Sequence, residues 1–169
     1  LIDVEICSFK EQFVMTEEKE NLYRQEKIQK YTAIFKNLFR YIPWLKEKQG
    51  QSTSHIYENE ELNRFSMPVR VYDSTLLSLV KELNATGLMD RNYVYTFSRN
   101  MLRTVQDEKR WIASAQLKNI EDVFAIMAKY VLGGMTKGKL WTDAIENGIF
   151  LEALLKIREL LEVHDRPLA

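Results

Sequence analysis

Residues Gly133-Gly134-Met135-Thr136-Lys137-Gly138-Lys139 hold a glycine, four residues, a glycine and a lysine, the spacing of nucleotide phosphate loops. That chemistry needs a nest of backbone amides, a lysine for charge and a Ser or Thr hydroxyl for magnesium. Leu140 stands where the hydroxyl should be, and the preceding Val123, Phe124, Met127, Tyr130 and Val131 have helical spacing where a strand is required. The stretch therefore reads first as a helix end and an interhelical turn. The alternative is a looser anion site of Gly134, Lys137, Gly138 and Lys139, at the start of a helix near Leu140. Free amides and the helix dipole favour anions there.

Arg99, Arg103 and Arg110 share one face if 99–110 is helical, and Tyr93, Tyr95 and Phe97 come just before them. Cations beside aromatics can hold a phosphate backbone and stack bases. A solvated face with core aromatics is the plainer account, and no nucleic-acid-binding signature stands nearby. Asp143 and Glu146, three apart, lie on one helix face, where a charged solvent surface explains them. Asp107 and Glu108 beside Lys109 and Arg110 likewise suit a solvated, self-paired surface. His55 and His164 are the two histidines, neither in a metal-ligand spacing, and Cys7 has no histidine near it in sequence. No catalytic residue, metal site or cofactor is assigned.

The elements that must position these groups are mostly helical. The chain has 169 residues, 46% apolar, with only 6 Gly and 3 Pro, which suits one domain of long helices and short loops. Its 24 basic and 24 acidic side chains balance, so no overall basic excess points to a nucleic-acid partner. One cysteine makes no intrachain disulfide, and no uncharged apolar run reaches the ~20 residues of a membrane helix. A cytoplasmic protein is expected.

Residues 1–16 permit a strand or, preferably, a helical or irregular arm; Thr16 with Glu17 and Glu18 resembles a helix start. Ile28, Tyr31, Ile34, Phe35, Leu38, Phe39, Ile42 and Leu45 form one apolar stripe that Pro43 should kink or restart. A polar loop is expected over 49–61 and an extended stretch over 64–72. Asp73 or Ser74 should cap a helix that turns Leu76, Leu77, Val80 and Leu83 inward and ends at Gly87. Residues 92–98 fit a strand or a short helix, and helices follow over about 100–117, 120–132, 140–147 and 149–163. The fold class is all-α, a compact array of about six helices, with room for one minor hairpin from 64–72 and 92–98. Residues 1–26 form an extension on a core of 27–163.

The stretch 119–161 resembles the C-terminal half of an uncharacterised bacterial family of unknown function, a small helical domain. The likeness is carried by Tyr130-Val131-Leu132, Gly138-x-Leu140-Trp141, Ala144 to Ile149 and Leu154-Leu155-x-Ile157, with Tyr72 to Leu77 and Leu83-x-x-x-Gly87-Leu88 upstream. It covers roughly 30–161 and implies a helical fold without implying an activity. Three functions are therefore weighed. The first is a non-enzymatic, self-associating interaction or accessory module, a homo-oligomer using its N-terminal extension. The second is a phosphate or small-molecule binder or enzyme using the 133–140 turn, and the third a nucleic-acid binder through Arg99 and Arg103.

Overall fold

A computed structural model describes residues 2–57 and 69–161, with side chains described over 16–55 and 71–161. The expected positions 58–68, 162–163 and His164, and the side chain of Cys7, lie outside the described residues. The chain opens with one helix, α1, Ile2–Phe35. It passes through Thr16, so the start expected there is not a start: a local capping preference yields to a helix already under way. At ~1.5 Å per residue α1 is about 51 Å long. Its last turns enter the core. Lys27, Tyr31 and Phe35, four residues apart on one face, are buried, while every residue from Thr16 to Glu26 is exposed.

A 3-10 turn, Leu38–Tyr41, leads into α2, Ile42–Lys48, with Pro43 in its first turn. Proline is tolerated there because its missing N–H has no intrahelical partner in any case. The stripe thus restarts at the proline, and Leu38, Ile42 and Leu45 are buried. A two-stranded antiparallel hairpin follows, β1 (Ser54–Tyr57) and β2 (Val69–Tyr72), paired Ser54 to Tyr72 through Tyr57 to Val69. The second strand falls where extended chain is expected. Its partner is not 92–98 but part of the expected loop.

Asp73 caps α3 (Ser74–Ala85) by accepting from the Thr75 amide at 2.8 Å. Leu76, Leu79, Val80 and Leu83 face the core, whereas Leu77 is exposed, contrary to the inward face expected for it. Then come α4 (Tyr93–Arg99), α5 (Val105–Ser114), a 3-10 turn at Leu117–Asn119, α6 (Ile120–Gly133), α7 (Lys139–Glu146) and α8 (Ile149–Leu160). The fold is all-α with one short hairpin, as expected, and the described residues hold eight α-helices where about six are expected.

Helix α6 is the centre. Nine of its fourteen residues are buried, the mark of a helix enclosed on most sides. It packs on α3, α4, α5, α7 and α8. Phe124 on α6 meets Phe35 in a stacked pair at 5.2 Å and Tyr31 edge-on at 5.0 Å, which fixes the C-terminal end of α1. Aromatic pairs of this kind add ~0.5–1.5 kcal/mol to the area they bury.

Candidate functional site

Among the described residues the two most exposed large apolar side chains, Tyr95 and Met101, lie on or just past α4, together with Arg99 and Arg103. No residue of α4 is buried. Tyr95 is 74% exposed and Val94 61%, and Met101, just past the helix, is 71% exposed. Scattered exposed apolar residues are ordinary; a cluster on one short helix is what marks a contact surface. The inner side of α4 packs on α6. Phe97 packs against the core, with the Lys129 ammonium 5.1 Å from its ring centre, and Arg99 pairs with Asp122 on α6 at 2.8 Å.

The chain over 99–110 is not one helix. Arg99 ends α4, Arg103 lies in the following loop, and Arg110 belongs to α5. The break is made by a capping box: the Thr104 side chain accepts from the Asp107 amide at 3.2 Å, and Asp107 accepts from the Thr104 and Arg103 amides at 3.1 Å. Those backbone donors, Arg103 first, hold the Asp107 carboxyl below its ordinary value. Thr104-x-x-Asp107 was the sequence signal for this break. Met101 sits in the loop with φ +52, a left-handed conformation that costs a non-glycine residue roughly 1–2 kcal/mol. Arg91, Arg103 and Arg110 are all exposed, and Arg110 also pairs with Asp107 at 3.4 Å. From 91 to 103 there are three arginines and no acid.

Beside α4 runs a groove of about 720 Å³, walled by Leu88, Tyr93, Thr96 and Arg99 on one side and Glu121, Asp122 and Phe124 on the other. Its size is that of a ligand site. Its charges are largely committed, Arg99 to Asp122 and Lys27 to Glu121 at 3.1 Å. Tyr31 donates to Glu121 at 3.0 Å, and burial followed by that bond pushes its hydroxyl up to about 12.

A second polar cluster was missed in the sequence. Glu108 is not on a solvated face: it is 1% exposed, between α5 and α6. The Tyr130 hydroxyl donates to its two oxygens at 3.0 and 3.1 Å, and the Lys129 ammonium donates at 3.3 Å. Burial, then the charge of Glu108, drive the Tyr130 hydroxyl far above its ordinary value, so it stays a donor and not a base. Glu108 and Ile112, four apart on α5, are both buried. A smaller cavity of about 280 Å³ opens beside Lys129 and Tyr130, and Asp143, Glu146 and Asn147 line it. Among the described residues no group of three or more His, Cys, Asp or Glu is gathered for a metal.

The Gly133–Lys139 turn is filled by protein. The Trp141 indole lies against Gly134 and donates to the Val131 carbonyl at 3.0 Å. The Tyr72 hydroxyl lies against Gly138. Amides of residues 134, 135, 136, 137, 140 and 141 donate to carbonyls of this same region. Lys137 and Lys139 are exposed around it. The glycines let two aromatic side chains approach the backbone, where a Cβ would collide.

Against family models, curated proteins and solved structures the chain finds no match. The functional reading therefore rests on the surfaces themselves. His55 lies exposed on β1, opposite Val71.

Proposed function

We propose that the protein is a self-associating interaction module. The observation that carries this is the exposure of residues 16–26 of α1. Eleven consecutive residues of a regular helix, Thr16–Glu26, lie open, with Leu22 57% and Tyr23 62% exposed. Isolated helical segments of that length are marginal in water, because helices in proteins draw most of their stability from packing of one face. A contact with another chain supplies that packing. Among the described residues no helix is long and apolar enough to cross a membrane, and the proposed partner is a protein surface. The reading of the 133–140 turn as an anion site has less support, since its amides are mostly engaged by carbonyls.

Size-exclusion chromatography with light scattering tests the proposal. The expected mass rises with concentration from 20.0 kDa towards a small multiple of it. A mass fixed at 20.0 kDa across the concentration range would sink it.

A further inference from the structure

Two exposed surfaces of this chain complement each other. Residues 16–26 carry Glu17, Glu18, Glu20 and Glu26 against Lys19 and Arg24, a net charge of −2 (2 basic minus 4 acidic), with Leu22 and Tyr23 exposed among them. Residues 91–103 carry Arg91 and Arg103 as exposed cations and Arg99, which pairs with Asp122, next to the exposed Asp90, with Val94, Tyr95 and Met101 exposed among them. One surface is acidic with an apolar pair; the other is basic with an apolar cluster.

Resting on the self-association proposed above, we infer that the arm of one copy, residues 16–26, docks on the α4 surface of a second copy, and reciprocally. The arm segment spans about 16 Å of helix, against about 10 Å for α4 itself, so it covers α4 and reaches the flanking Arg91 and Arg103. Leu22 and Tyr23 meet Val94, Tyr95 and Met101, and the glutamates meet the arginines. Charge sets the pairing and orientation, while apolar contact supplies most of the affinity. Reciprocal exchange closes the assembly at two copies, because each copy has one arm and one α4 surface and a twofold axis satisfies both. Met101, whose backbone is left-handed, keeps its apolar side chain exposed beside α4.

The test is sedimentation equilibrium of the full chain and three variants, at about 50 mM and about 500 mM NaCl, conditions that differ strongly in screening. The variants are Glu17→Lys/Glu18→Lys/Glu20→Lys, Arg91→Glu/Arg103→Glu, and both sets combined. All five sites are exposed, and circular dichroism checks that helix content is kept. An exposed ion pair is worth a factor of about two to five, and reversal replaces attraction by repulsion. Each single set should weaken dimerisation at least about tenfold at low salt, less at high salt, and the combined set should recover most of the loss. A wild-type dimer indifferent to either set, or a combined variant no better than the single ones, overturns the arm exchange and leaves self-association standing. A wild-type monomer overturns both. If the wild type retains nucleic acid and Arg91→Glu/Arg103→Glu does not, the α4 surface serves a nucleic acid and the exchange is wrong.

Discussion

Replacing Gly134 by alanine separates a packing role for the glycine turn from a ligand role. Gly134 has φ −66 and ψ −19, so alanine meets no backbone strain there. The added methyl instead falls inside the Trp141 indole, against its Cδ1, Nε1 and Cε2 atoms. The ring must leave, which breaks its 3.0 Å bond to the Val131 carbonyl and its edge contact with Tyr72 at 5.5 Å. Overpacking of this kind costs ~1–3 kcal/mol and the hydrogen bond ~1 kcal/mol. Alanine returns ~0.4–1 kcal/mol by restricting the unfolded chain. The net loss is about 2 kcal/mol, or about 4–8 °C in Tm for a domain of this size. Urea unfolding followed by far-ultraviolet circular dichroism measures it. In a Trp141→Ala background the obstacle is gone, so the same change should become neutral or stabilising. A Gly134→Ala protein as stable as wild type, or one equally destabilised in both backgrounds, would refute the packing account.

Glu108→Gln keeps the shape but removes the charge that Tyr130 and Lys129 address, and should cost ~1–3 kcal/mol in urea unfolding; a loss below ~0.5 kcal/mol would mean that the cluster adds nothing. Met101→Gly relieves the left-handed backbone but frees the unfolded chain, so the monomer should gain about 0.5 kcal/mol. The same change should weaken self-association, and an unchanged dimer constant would count against Met101 as a contact. Alkaline pH should destabilise through Tyr31. Its hydroxyl is raised in the folded state to about 12, so the stabilisation is complete below the unfolded value near 10 and is lost as pH rises through about 12. Tyr31→Phe should flatten the stability profile between those values, and an unaltered profile would contradict the assignment.

Much of the fold was legible because its signals are local. Pro43 marks a helix restart, Asp73 a cap, and Gly148, at φ +81, the turn between α7 and α8. What was illegible depends on partners far away in sequence. Four residues, Ser54–Tyr57, are too few for a period, and only pairing with Val69–Tyr72 makes them a strand. Leu77 and Leu79 are both apolar on one helix, and the positions of α6 and the 3-10 turn Leu38–Tyr41 decide which is inside. Glu108 sits in a run of charges, so its burial shows only once Tyr130 and Lys129 are placed opposite. The candidate surface was half visible. Its arginines and aromatics stand together in sequence, but the exposure of Val94, Tyr95 and Met101 follows from how little of α4 the rest of the molecule covers. The phosphate-loop spacing shows the opposite case, a ligand pattern whose glycines make room for Trp141 and Tyr72.

Native mass spectrometry of the freshly purified full chain, with its absorbance spectrum, tests the central claim most directly. The account predicts a species at twice 20.0 kDa with no added mass and no nucleic-acid absorbance. A species at 20.0 kDa alone, or one carrying a retained small molecule or nucleic acid, would contradict it.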